Sequence, residues 1–257
     1  MSTIVLKFGG AAVATPEHFC KIADIALQRK REYGKLAIVV SAMANMTNQL
    51  VELAQRVNPS PPPREYDMLV SVGERVSISL LAMALAAKGE RAVSFTGSQS
   101  GIITCDEHSN ARIVEVRPRR LTPLLEEGNI VIVAGFQGCS RGGEITTLGG
   151  NGSDISAVAL AVALGAERVE FFKDVGGIYD KDPKLHPDAA LISEIDYAKT
   201  LGIIRHGGRV LHPRCIELAQ RNGMPLYIYS FDQPEVAGTK IIDPNSEIPE
   251  IPVFEFA

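Results

Sequence analysis

Between Thr146 and Pro183 the chain reads TTLGGNGSDISAVALAVALGAERVEFFKDVGGIYDKDP. A turn of small residues passes through Ser153 and Asp154 into an apolar, alanine-rich segment, then an extended run from Val169 to Phe172, then a polar loop. The pattern predicts loop, helix, strand, loop. A glycine-rich turn feeding a helix aims backbone N–H groups and the positive end of the helix dipole at one point, which favours an anion there. Ser153 or Asp154 is the expected N-cap. The second loop carries Asp174, two glycines, Tyr179 and Asp182 past a strand end, where open α/β sheets hold ligands. Two such loops in one unit point to a nucleotide and a transfer reaction.

The rest of the chain repeats the theme. Thr3 to Phe8 is apolar apart from Lys7, reads as a buried parallel strand, and ends in Gly9-Gly10. An amphipathic helix should follow from Pro16 to Gly34. Taken alone, the glycine pair is neither a dinucleotide fingerprint nor a Walker motif. Lys7 is either a strand-end lysine reaching solvent or a group that meets whatever the glycines approach. Leu36 to Val40 is a second buried strand, ending at Ser41, with a helix from about Thr47 to Arg56 and an exposed proline-rich connector, NPSPPP, from Asn58 to Pro63. Tyr66 to Lys88 reads as one apolar helix with Glu74 at a glycine-marked bend. A carboxylate there needs a partner, either a nearby lysine or arginine or the ammonium group of a substrate. Ala92–Phe95 and Ile130–Ala134 are further strands, with a helix from Leu121 to Glu127 between them. Thr96 to Ile113 reads as irregular or hairpin-like, with His108 at its surface. Gly135 to Thr147 is an expected hairpin. A helix over Asp196–Leu201, a loop and a helix ending at Gly223, a strand from Pro225 to Ser230 and an edge pairing at Thr239–Ile242 complete the pattern. The tail from Pro244 looks unpacked or bound by a partner. Strands alternating with helices predict an α/β fold with a mainly parallel sheet in three α/β/α layers.

Across 257 residues, 46% of them hydrophobic, the chain can bury a large core, and no apolar run is expected to be long enough to span a bilayer. The net charge of −4, without basic blocks, argues against a nucleic-acid surface. The N-terminus enters a strand pattern directly, so a cytoplasmic protein is expected. Cys20, Cys105, Cys139 and Cys215 form no CxxC and read as reduced, mostly buried thiols.

Six blocks occur in a shared order: LKFGGAAVA (Leu6–Ala14), VSAM (Val40–Met43), VSVGERVSISLLAMAL (Val70–Leu85), TTLGGNGSDISAVALA (Thr146–Ala161), KDVGGIYDKDPK (Lys173–Lys184) and RVLHPRCIELA (Arg209–Ala219). With them the sequence resembles the amino acid kinase family, and within it the catalytic domain of aspartate kinases, over roughly residues 3 to 242. The resemblance implies an amino acid kinase or carbamate kinase-like fold, an N-terminal substrate lobe to about residue 150 and a C-terminal nucleotide lobe beyond it. It implies ATP with Mg²⁺, a small amino acid acceptor and a homodimer, with the helix around Leu80 to Ala87 a possible contributor. Lys7 would stabilise the transferring phosphoryl group, with Gly9 and Gly10 allowing close backbone approach. Asp154 would orient the lysines or help place the metal. Lys173, Asp174, Tyr179, Asp182, Lys184 and Arg209 would serve the nucleotide. Glu74 would take the α-ammonium group, and Gly10, Ala11, Ser41, Gly150 and Ser153 would border the acceptor.

Three departures stand beside the matches. Ala11 and Ala12 replace a Thr-Ser pair usual in aspartate kinases, and Gly150 stands where those enzymes have an arginine expected to clamp a substrate carboxylate; Arg141 or Arg205 could substitute. Lys173 occupies a common threonine position. Aspartate kinases also continue into regulatory ACT domains, whereas the sequence stops at Ala257, so the usual feedback inhibition is not expected unless a separate subunit supplies it. The readings left open are phosphorylation of aspartate, phosphorylation of another small acid, and a catalytically weak nucleotide-binding subunit.

Overall fold

The structure is a computed structural model that describes residues 2–181, 183, 185–186, 188–206, 208, 210–244, 246 and 248–255. The chain begins with β1 (Ser2–Phe8), α1 (Pro16–Tyr33), β2 (Gly34–Val40) and α2 (Met46–Val57). Next come α3 (Pro63–Val70), α4 (Val72–Ala87), β3 (Ala92–Phe95), the single turn α5 (Gly97–Ser100), β4 (Ile102–Thr104) and β5 (Ile113–Val116). The middle holds α6 (Leu121–Glu126), β6 (Ile130–Ala134), β7 (Gln137–Ser140), β8 (Ile145–Thr147), α7 (Gly152–Ala163) and β9 (Val169–Lys173). The last part holds β10 (Glu194–Ile195), α8 (Tyr197–Arg205), α9 (Pro213–Arg221), β11 (Leu226–Ser230) and β12 (Thr239–Ile241).

Among the described residues the main sheet has eight strands in the order β10-β12-β11-β9-β1-β2-β6-β3, and a four-stranded sheet runs β5-β4-β7-β8. Every pair in the main sheet is parallel except β11 with β12. Parallel strands need covered faces, and the side-chain alternation of β1 shows how both are covered. Ile4, Leu6 and Phe8 enter one core with Phe19 and Ile22 of α1 and Leu81 and Leu85 of α4. Val5 faces the other core, with α7, α6 and α9. The three-layer expectation therefore holds. α7 carries the centre of the second core: every residue from Gly152 to Val162 is buried, because its alanines and valines present an apolar surface on all sides.

Four local expectations change. The 66–88 segment is two helices, broken at Ser71, and with its proline-started first turn it spans 63–87. That stretch does reach the length and hydropathy of a bilayer span, contrary to the composition reading; 44% of its most apolar window is buried in the fold. The region after Thr96 is a capped turn followed by the antiparallel pair β4–β5, in keeping with the hairpin-like alternative. Of the cysteines only Cys215 is buried, whereas Cys20 is exposed and the other two are intermediate. Part of the tail is packed as well: Asn222 exchanges two side-chain hydrogen bonds with the Val253 backbone and Phe254 sits in the core, while Ile248 and Ile251 are exposed.

Candidate active site

β1, β2 and β9 are adjacent and parallel, so their carboxyl ends deliver three loops to one place. The Ser41 N–H donates to the Phe8 carbonyl, which ties the first two loops together. The 146–152 turn arrives opposite them. Gly149 and Asn151 take left-handed backbone, at φ of 83° and 57°, and bend the chain sharply into α7. Asn151, rather than Ser153 or Asp154, is the N-cap residue. Ser153 and Asp154 lie inside the first turn, which points both side chains towards β1. Gly135 is required for that approach, since a Cβ there would come within 2.5 Å of the Ser153 Cβ.

Lys7, Asp154 and Lys173 form a charge triad, the first two buried and Lys173 partly so. The Lys7 Nζ is 2.5 Å from one Asp154 oxygen. Lys173 Nζ donates to the other oxygen at 2.9 Å and to the first at 3.2 Å. Lys7 is 3% exposed, so it does not reach solvent. Burial brings its ammonium down to about 8, and Lys173 adds to that, against the opposing pull of Asp154. Burial also works against the Asp154 carboxylate, but the two lysines outweigh it and hold its pKa below the ordinary value. One carboxylate between two ammonium groups leaves a surplus of positive charge in a desolvated place, a setting that favours a bound anion.

Two cavities meet at this point. The larger, about 940 Å³, is bordered by Lys7, Gly9, Ala11, Lys173, Asp174 and Tyr179. The smaller, about 430 Å³, is bordered by Glu74 and Gly150. Gly10, Ser41, Asn151 and Ser153 line both, and the Ser41 and Ser153 hydroxyls lie 2.7 Å apart at the junction. Asp154 borders neither cavity and sits behind the lysines. Asp182, Lys184 and Arg209 lie outside the described residues.

Glu74 is held at the smaller cavity by the first turn of α4. Gly73 lets that turn pack against the Ser41–Met43 loop, because a Cβ at Gly73 would lie 2.7 Å from the Ala42 Cβ. One Glu74 oxygen accepts from the Ala42 N–H at 3.0 Å, and the other has no hydrogen-bond partner among the described residues. No lysine or arginine ion-pairs with it there, so the protein-internal partner allowed by the sequence is absent among these residues. Burial lifts its carboxyl to about 7, moderated by its own and the Ala42 backbone N–H and by Lys7.

Arg141 and Arg205 are exposed and border neither cavity. Three structuring residues, Asp67, Arg214 and Glu255, escape sequence reasoning. Asp67, fully buried, accepts from the Thr147 N–H and hydroxyl and from the Ser109 N–H. His108, expected at the surface, is instead 2.8 Å from Asp67 and partly covered. Arg214 and Glu255 form a buried pair beside Leu148. Asp67 carried the same signal as Glu74, a carboxylate inside an apolar helical run.

The model of the amino acid kinase family matches residues 2–230. The chain belongs to the amino acid kinase family. The chain is 43% identical over 252 residues to a Mycobacterium tuberculosis protein named aspartokinase, covering 97% of the chain and 59% of the relative. A Bacillus protein of the same name is 45% identical over 90% of the chain and 56% of its own length. The chain thus spans a little over half the length of these relatives. Aspartate kinase from Synechocystis superposes with a TM-score of 0.84 at 44% identity, covering 98% of the chain and 41% of that structure. Aspartokinase III from E. coli, in complex with aspartate and ADP, gives 0.85 at 30% identity, covering 94% of the chain and 64% of that structure. A Bacillus anthracis UMP kinase shares the fold at 19% identity and a TM-score of 0.69.

Proposed function

We propose that this chain transfers the γ-phosphoryl group of ATP to the side-chain carboxylate of aspartate, giving 4-phosphoaspartate. The observation that carries the reading is the lysine–aspartate–lysine triad at the meeting of two cavities, with an unpartnered Glu74 oxygen in the smaller one. A carboxylate acceptor is already ionised at neutral pH and needs no general base. The work left to the protein is to align two anions and offset their converging charge. ATP would occupy the larger cavity, served by the loops of residues 151–257, and aspartate the smaller, served mainly by residues before 150. Lys7 and Lys173 would face the phosphates, Glu74 would take the α-ammonium, and Asp182, Lys184 and Arg209 complete the nucleotide side in this reading. The described residues contain no cluster of three or more metal-ligating side chains. Mg²⁺, which keeps water and phosphate oxygens as ligands, fits as a companion of the nucleotide beside Asp174. The likeness to an aspartate and ADP complex supports the assignment.

The test is trapping of the acyl phosphate with hydroxylamine, using Mg·ATP and a panel of aspartate, glutamate and other small acids. Hydroxamate from aspartate is expected. Signal from a different acid alone would move the assignment to the second reading, which the open space at Gly150 and the alanines at 11 and 12 favour. No turnover with any acid, alongside ADP binding, would make the chain a binding subunit.

Gly150 gives the reading a direct probe. A Cβ at this position would meet nothing within 4 Å. Gly150→Arg should therefore fold normally and lower the KM for aspartate by about tenfold through a charge-assisted contact. A raised KM would show that the family geometry does not extend to this turn.

The pH dependence follows from two groups. Glu74 must be ionised to hold an ammonium, so aspartate capture should strengthen as pH rises through about 7. Lys7 loses its proton as pH rises through about 8, which removes charge from the phosphoryl site. The kcat/KM for aspartate should be bell-shaped with its maximum between these two values. Glu74→Gln should flatten the acid limb and leave the alkaline one in place.

A homodimer is part of the reading, formed through α3 and α4, where Met68, Val72 and Met83 are exposed and Met83 is 65% so. Met83→Glu should convert the species seen in sedimentation velocity from dimer to monomer; an unchanged sedimentation coefficient would place the contact elsewhere.

A further inference from the structure

The turn that delivers Ser153 and Asp154 begins at Leu148, and its start is fixed by a residue far away in sequence. Arg214, in the first turn of α9, donates from Nη1 to the Leu148 carbonyl at 2.8 Å. The same nitrogen reaches the Asn110 side chain at 3.4 Å, and Nη2 donates to the Ala111 carbonyl at 2.8 Å. Asn110 and the Ser109 carbonyl in turn flank Gly149, each 3.4 Å from where its Cβ would be. The guanidinium thus braces both the turn and the segment against which the turn rests.

The guanidinium is itself aimed by the C-terminal segment. Glu255 accepts from its Nε at 2.6 Å and from its Nη2 at 2.9 Å, a two-pronged pair with both side chains no more than 10% exposed. Glu255 is tied to β5 as well, accepting from the Ile113 N–H at 2.7 Å and donating its own N–H to the Ile113 carbonyl at 3.0 Å. Residues 253–255 therefore form a strap: Asn222 holds one end, Phe254 is seated in the core between, and Glu255 grips Arg214.

We propose that Arg214 and Glu255 are positioning residues for phosphoryl transfer, holding the 148–152 turn so that Asp154 meets Lys7 and Ser153 meets Ser41, with the 253–255 strap as the part that sets this brace. The chemical part of the proposal rests on the phosphoryl-transfer reading above. The structural part does not. An arginine with all its faces occupied fixes direction as well as charge, so a lysine at 214 cannot replace it. A displacement of about 1 Å at a reacting centre lowers rates by up to roughly a hundredfold.

Hydrogen exchange of the Gly149–Ser153 amides decides the structural part whether or not the protein turns over aspartate. The comparison is wild type, Glu255→Ala, Arg214→Lys, and Tyr197→Phe as a control. Tyr197→Phe removes a buried hydrogen bond to the Met224 carbonyl without touching the turn. Exchange at 149–153 should rise about tenfold in Glu255→Ala and Arg214→Lys and stay at the wild-type value in the control. In the hydroxamate assay, well below the unfolding midpoint, kcat should fall between about tenfold and a hundredfold in the first two variants with the KM for ATP nearly unchanged. Unaltered exchange at 149–153 in Glu255→Ala overturns the proposal. Raised exchange with wild-type kcat leaves the brace but removes its catalytic role. A wild type that phosphorylates no acid defeats the functional reading alone.

Discussion

Lys7→Ala should give a folded protein that binds ADP within a few-fold of wild type and transfers phosphate roughly a thousandfold more slowly. Folding survives because Asp154 keeps Lys173 as a partner at 2.9 Å, so no isolated charge is left buried. In the proposed reading binding survives because a nucleotide in the cavity of about 940 Å³ would meet many other lining groups besides Lys7. In that reading the rate does not survive, because the ammonium would count most when negative charge from the acceptor and the γ-phosphate converges at the junction of the cavities. An interaction stronger in the transition state than in the ground state appears in kcat. Single-turnover kinetics beside ADP titration checks this. An unchanged kcat would remove Lys7 from the chemistry, and an equal loss in affinity and rate would make it an ordinary binding group.

Asp154→Asn should have the largest effect on the fold. The carboxylate is 1% exposed, and its loss leaves two ammonium groups facing each other in the interior. Breaking one partner out of a buried ion cluster costs about 3–5 kcal/mol, far more than the net worth of the intact cluster. The sign of the pH effect follows. Without Asp154 the folded-state pKa of Lys7 falls further below its already lowered value of about 8. Charged Lys7 then opposes folding, and raising the pH through that lowered value neutralises it, so the gap to wild type should narrow as pH rises. Phosphate or ATP should narrow it too, by supplying the missing anion. Urea midpoints at several pH values test both; a loss below about 1 kcal/mol near neutral pH would show that the lysines separate or deprotonate without cost.

Much of this was legible in the sequence because the deciding features are local. The strand ending in Lys7 and a glycine pair, the turn before α7 and the polar loop after β9 are each contiguous, and the parallel sheet brings their ends together. Glu74 was legible because a carboxylate in an apolar helix advertises a need for a partner. Asn151 as the cap was missed because its left-handed backbone, not its side chain, ends the turn: no side-chain capping hydrogen bond forms there. The tail reads as unpacked or bound by a partner because its prolines hide three consecutive anchors, at 253–255, whose partners lie on α9, at its C-cap and on β5. Asp67 and Arg214 act through contacts about 80 and 66 residues away, to Thr147 and Leu148, and no local pattern reports such a distance.

The four residues shared by the two cavities have a consequence for ligand design. Gly10, Ser41, Asn151 and Ser153 border both spaces, so the two cavities adjoin at a boundary of four residues, with the Ser41 and Ser153 hydroxyls 2.7 Å apart on it. If the proposed occupants are right, a single molecule joining a nucleoside phosphate to an amino acid through a short linker would lie across that junction. Each half then raises the effective concentration of the other, and the joined compound should hold more tightly than either fragment by a factor of about 10²–10⁴. Shortening or lengthening the linker would act as a ruler, with the best length giving the separation between donor and acceptor that the protein enforces.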